Sequence, residues 1–322
     1  MDNSHTESKM KTFRARFLRD NPDLTREVLK IQSNQRGAQD IIEFDRKTRK
    51  KVYALQGTTF AFIATSSIWI SNWYLAALAI IVLGTFAMPY IRVFMHSEFH
   101  WGLGGTTLER RWFRNFISLT FSVPQRGYEI GHRIHHRYDN DFSNDGRPRD
   151  PQSTYIFARN GSPSNPFLWI IYYAFLFQHM VLPYLVVKNG KNTDIASYFF
   201  QLSGIISLHV IIFLYAKEFY LLIYLPSTVI SWFGSAIVLY MMHDVSLEGI
   251  SSHPTNNSAS QFFNWFGDND GFHLEHHVFA GVHPARLREV HDIVRDNIPD
   301  KQILPNHYAT EFFKRHVIGG VE

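Results

Sequence analysis

Cysteine is absent from all 322 residues. Disulfides, thiolate zinc sites, cysteine-ligated iron–sulfur clusters and a cysteine nucleophile are therefore excluded. Internal repeats and low-complexity tails are also missing, and no basic segment with a short apolar core opens the chain, so no cleaved signal peptide is expected. The formal net charge is only +4. It reads as membrane topology and lipid-headgroup contact, and nucleic acid is not an expected partner.

What the chain does have is long apolar runs. Residues 52–70 and 73–94 each approach the roughly 20 residues that cross a bilayer, with only Ser71 and Asn72 between them, so they read as a transmembrane hairpin. Residues 195–215 and 219–242, separated by Lys217 and Glu218, read as a second. A fifth run, 167–187, contains His179 and Pro183 and is assigned to the interface. Lys9 to Lys51 is rich in Lys and Arg while the Ser71–Asn72 turn has neither, which places both termini and the long polar loops on the cytoplasmic side. Trp69, Trp73, Trp101 and Trp112 fit an interfacial belt.

Seventeen histidines contrast with the missing cysteines. "HSEFH" sets His96 and His100 one helical turn apart beyond the second apolar run. "HRIHH" sets His132, His135 and His136 on one face, and "HLEHH" repeats that spacing with His273, His276 and His277. His243 ends the last apolar run. A lone HxxxH arises readily by chance; two HxxHH clusters, a further pair and a boundary histidine, all reconcilable with one membrane face, make a metal site. For them to meet, an even number of crossings must separate His136 from His273, so one of the three intervening runs fails to cross. Four transmembrane helices result. Nine imidazoles exceed one tetrahedral zinc and suit two ions with four or five each; oxidation chemistry calls for iron, although zinc or another divalent metal also accepts such ligands.

Other polar residues carry weaker expectations. His179 and His209 lie at membrane depth, where a satisfied core histidine and a functional one are equally open readings. His283, His291, His307 and His316 are expected to face solvent, and His253 precedes a proline in a loop. Glu98, Glu129, Asp139, Asp141, Asp244 and Glu275 are candidates to accept the far ring N–H of a ligand imidazole. Arg133 and Arg137 are candidates for lipid phosphate, a substrate carboxylate or an acidic electron carrier, and Asn264, Asp268 and Asn269 for shaping the third cluster.

The three clusters resemble the histidine boxes of the integral-membrane fatty acid desaturase and hydroxylase superfamily, over about residues 50–295. The resemblance implies that the eight box histidines ligate two irons and that His243 is an additional ligand. It implies an all-α membrane protein with four transmembrane helices in two hairpins, an interfacial helical segment and a cytosolic histidine-rich cap. Residues 1–50 would be an amphipathic or partly disordered cytosolic arm, 51–300 the di-iron domain and 301–322 a tail.

The implied activity is oxygen-dependent desaturation of a fatty acyl lipid or free fatty acid, with hydroxylation or terminal-alkene-forming decarboxylation as the alternatives within the superfamily. The first box has three residues between its histidines, closer to the acyl-lipid desaturases and the hydroxylases, and Leu239 stands where acyl-coenzyme A desaturases carry an asparagine. No His-Pro-Gly-Gly haem motif is present, so a separate donor such as ferredoxin, rubredoxin or cytochrome b5 with its reductase would supply electrons. The reading from another class is a nonenzymatic metal binder or transporter, which would set polar ligands along a crossing path near the midplane.

Overall fold

A computed structural model describes residues 13–103, 105–140, 142–143, 145–159, 162–244 and 255–319. Asp141 and His253 lie outside them. Thirteen helices occur among the described residues, two short 3-10 turns aside, when π-helical and α-helical stretches that run on are joined: α1 (Phe13–Asp20), α2 (Pro22–Asn34), α3 (Gln39–Trp69), α4 (Trp73–Trp101), α5 (Thr107–Phe121), α6 (Gln125–Tyr138), α7 (Pro166–Asn189), α8 (Asn192–Tyr215), α9 (Lys217–His243), α10 (Gln261–Phe266), α11 (His273–Val278), α12 (Pro284–Val294) and α13 (308–317). The only strands among them are a two-residue parallel pair, β1 (Asn257–Ser258) with β2 (Ile303–Leu304), beside two isolated bridges, Phe142 with Pro148 and Arg159 with Ser162.

Four helices are long and apolar enough to cross a membrane, α4, α7, α8 and α9, and the chain is an integral membrane protein. These are not the same four runs picked from the sequence. Residues 167–187, expected in the interface, form part of α7, which qualifies by length and composition. The apolar half of α3 is not among the four, and Gln56, Thr58, Thr59, Thr65, Ser66 and Ser67 interrupt it.

The chain divides into two compact units, one of residues 45–132 and 171–236, the other of 1–44, 133–170 and 237–322. In the first, Asn72 caps α4 by accepting hydrogen bonds from the amides of Tyr74 and Leu75, which fixes the turn from α3. Trp73 and Tyr74 are exposed beside it, as interfacial aromatics are. Gly84 lets α4 approach α9 closely: a Cβ there would lie 3.1 Å from Ser227 Cα. The buried Gln56 finds partners for its amide nitrogen within the unit, Nε2 donating to Phe116 O at 2.9 Å and Thr120 Oγ1 at 3.0 Å.

Three membrane helices contain π-helical stretches, Ile81–Ala87, Tyr172–Val181 and Tyr220–Tyr224. Pro89, Pro183 and Pro226 each stand two residues beyond the end of one. Proline has no amide to donate and its ring crowds the carbonyl four residues back. A local shift to i→i+5 bonding keeps the preceding carbonyls occupied without breaking the span.

The second unit has its own apolar core, in which Phe17 and Val28 of α1 and α2 join Phe272, Leu274, Val278, Leu287, Val290 and Val294 around α11 and α12. The Phe17 and Phe279 rings meet edge-on at 6.1 Å. Gln35 clamps the turn between α11 and α12, donating to Gly281 O and accepting from the His283 amide. The described part of the N-terminal arm is thus folded against the third histidine box. Leu287→Ala, 2% exposed in this core, is expected to destabilise the fold by about 2–5 kcal/mol. Thermal unfolding checks it, and an unchanged melting temperature counts against this packing.

Candidate metal centre

The spacing that puts His132, His135 and His136 on one helical face is realised in α6. The helix ends where Asp139 and Asn140 take positive φ values of 29° and 63°, a conformation that short polar side chains tolerate best after glycine. That turn leaves the Asp139 carboxylate among the imidazoles. Asn140 Oδ1 then accepts the Thr154 amide at 3.0 Å, and Thr154 Oγ1 donates to His243 O at 3.2 Å. The loop after the second box is thereby tied to the end of α9.

In the second unit His135, His243, His273 and His277, all buried, bring one ligand nitrogen each within 4.8 Å of one another. His135 Nε2 and His273 Nε2 each lie 3.1 Å from His243 Nε2. Carboxylates hold the far nitrogens: His135 Nδ1 donates to Asp150 Oδ2 at 2.7 Å and His277 Nδ1 to Asp139 Oδ2 at 3.1 Å, while His243 Nδ1 is 3.5 Å from Asp139 Oδ1. With the proton on Nδ1, Nε2 keeps the lone pair. Burial alone would raise the Asp139 carboxyl, but His277 and His243 outweigh it and hold the group well below the usual carboxylate range, so it is an anion.

These donors fit a divalent first-row metal. A tetrahedral ion with metal–nitrogen bonds of about 2.0–2.1 Å sets its ligand nitrogens roughly 3.3 Å apart, close to the spacing here. Lone pairs converging at such distances repel unless a proton or a cation lies between them. His136 and His276 form a further pair in this unit, Nε2 to Nε2 3.1 Å.

In the first unit His96, His100 and His132 also come together, with ligand nitrogens within 4.8 Å and His100 Nε2 2.9 Å from His132 Nε2. Tyr128 stacks on the His132 ring at 5.0 Å, and the Arg92 guanidinium lies 3.8 Å from the Tyr128 ring centre. Each of the nine sequence-predicted histidines therefore has at least one other of the nine beside it within its own unit.

Asp139 contacts box imidazoles as foreseen, and Asp141 lies outside the described residues. Glu98 instead accepts from Arg114 Nε at 2.8 Å and Glu129 pairs with Arg126. Glu275 accepts from Asn257 Nδ2 at 2.7 Å and His291 Nδ1 at 2.5 Å, and Asp244 lies 3.4 Å from His316 Nε2. His291 and His316 are thus carboxylate partners. His283, expected in solvent, is 5% exposed and its Nδ1 caps α12; His307 caps α13 likewise. His209 is a satisfied core histidine, bonded to Ser122 Oγ and Tyr220 OH, and His179 packs on Trp232.

Three positioning residues escaped the sequence reading. Asp150 is one. Asn257 is the second, its Oδ1 accepting the Leu274 amide while Nδ2 holds Glu275. Tyr308 is the third: burial pushes its phenol well above the ordinary value, so it stays a donor to Asn256 O at 2.8 Å and Gly271 O at 3.2 Å. Asn264 and Asn269 do shape the approach to the third box, Asn264 through Ser258 O and the Gly271 amide and Asn269 through Pro284 O. Asp268 supplies a turn at φ 57°.

No curated protein and no solved structure matches the chain. A family model described as fatty acid desaturase matches residues 71–309. That stretch contains the four membrane-length helices and all nine grouped histidines, and the chain belongs to the fatty acid desaturase family.

Proposed function

We propose that the protein is an oxygen-dependent fatty acyl desaturase that introduces a carbon–carbon double bond with two histidine-bound irons. The observation that carries this reading is the set of carboxylate-held imidazoles converging through Nε2 around His243. His135, His243, His273 and His277 hold one iron. The remaining box histidines, His96, His100 and His132 of the first unit and His136 and His276 of the second, are proposed as iron ligands as well. Bound iron supplies the redox chemistry that removes hydrogen from an unactivated carbon with dioxygen as co-substrate, and reducing equivalents come from a separate donor. The protein's own part is to fix the imidazole tautomers through Asp139 and Asp150 and to keep the cluster buried.

The metal side and both termini face the cytoplasm in this proposal, with residues 51–300 as the catalytic domain between a 1–50 arm and a 301–322 tail. Because His136 and His276 meet, an even number of crossings separates them, while α7, α8 and α9 all intervene. We assign α7, with His179 and Pro183, to the interface. The test is to supply saturated acyl lipids and free fatty acids with a compatible electron donor and to analyse retained and headspace products. An internal alkene is expected. Only an alcohol, or only a volatile alkene one carbon shorter, overturns desaturation in favour of hydroxylation or decarboxylation.

A further inference from the structure

Outside the histidine cluster the first unit contains a cleft of about 1010 Å³ between α5 and the first half of α8. Arg110, Arg111, Arg114 and Arg126 line it, against two carboxylates, Glu129 and Asp194. Arg114 is engaged by Glu98, and Arg126 by Glu129 and Asp194. Even with Glu98 counted, the cations are in excess. Arg110 and Arg111 are exposed on the N-terminal half of α5, with the exposed Trp112 beside them.

The cleft is polar at one end and apolar at the other. Gln201 Nε2 donates to Asn115 Oδ1 at 3.0 Å, and a Cβ at Gly204 would lie 3.2 Å from Leu119 Cδ2. These two contacts align the helices in the same direction, so the arginine turn of α5 lies toward the polar start of α8 and Phe116 and Leu119 lie toward Phe200 and Gly204. From Thr193 to Gly204 the wall descends about 16 Å along a membrane-length helix, about half the hydrocarbon thickness. Phe200 is 67% exposed on that wall. Guanidiniums at the start of a span, above an apolar groove open to acyl chains, match an anionic amphiphile.

We propose that this cleft binds an anionic membrane phospholipid, its phosphate on Arg110 and Arg111 and one acyl chain along Phe116, Leu119, Phe200 and Gly204. Binding bridges α5 and α8 and stabilises the first unit, because a ligand that binds only the folded state raises its unfolding temperature. The proposal does not depend on the reaction the histidines support.

The test is native mass spectrometry and thermal unfolding of the full chain in neutral detergent, with phosphatidylglycerol or chain-matched phosphatidylcholine added. Phosphatidylglycerol is expected to be retained preferentially and to raise the unfolding temperature. Arg110→Gln with Arg111→Gln is expected to reduce its retention by roughly 30-fold, the factor two basic residues supply at about 1 kcal/mol each near a membrane surface. Arg111→Gln alone gives a partial loss, and Arg147→Gln, an exposed arginine of the other unit, gives none. Equal retention of the two lipids, a preference that survives the double variant, or the same loss with Arg147→Gln overturns the proposal. Displacement of the lipid by inorganic phosphate alone also overturns it, in favour of a free-anion site.

Discussion

His243→Ala is expected to abolish product formation and to lower bound iron from about two per chain to about one, a larger effect than the roughly 10–100-fold typical of an outer partner. His243 lies at the centre of its group. His135 and His273 each approach its Nε2 at 3.1 Å, and its other nitrogen faces Asp139. Elemental analysis and product assay of the purified variant check the expectation, with thermal unfolding to establish that it folds. A folded variant with full iron content and turnover means that His243 is not a ligand.

Asp150→Ala is expected to cost about 10–100-fold in metal affinity or turnover, the usual effect of removing the acceptor behind a ligand imidazole. The carboxylate is fully buried and does two jobs: Oδ2 accepts His135 Nδ1–H and Oδ1 accepts the Gln152 amide at 2.8 Å. Asp150→Asn keeps an acceptor and the side-chain shape while losing the charge, so a smaller loss is expected. The KM for lipid stays unchanged in both if Asp150 acts only through His135. Metal titration beside steady-state kinetics separates the cases, and wild-type metal affinity and turnover in Asp150→Ala removes the orienting role.

What could be read from the sequence was what depends on local spacing. HxxxH and HxxHH place imidazoles on one helical face whatever the rest of the chain does, and His243 marked itself by ending an apolar run. The partners of those imidazoles depend on where loops travel. Asp150 lies 15 residues beyond His135 in a loop whose path is set by Asn140, Thr154 and the Trp169 indole, which donates to Ser153 O at 2.9 Å. Glu98 sits two positions from both His96 and His100, roughly 160° around the helix from them, and faces Arg114; Glu129 lies three positions before His132, near its face, and is drawn off by Arg126.

Membrane assignment had a similar boundary. Run length identified α4, α8 and α9. Residues 167–187, assigned to the interface for His179 and Pro183, form part of α7, which is long and apolar enough to cross by length and composition, with the π-helical stretch Tyr172–Val181 just before Pro183. The arm was judged by its charge, yet Phe17 and Val28 were enough to seat α1 and α2 against the third box. His283 and His307 resembled surface histidines because neither belongs to a box; each is held by capping the helix that follows.

Iron stoichiometry of purified, catalytically active protein tests the central claim most directly. About two irons per chain, in protein that converts a saturated acyl chain to an internal alkene only with dioxygen and an electron donor, is the predicted result. Fully active protein holding a single ion, or zinc in place of iron, contradicts it.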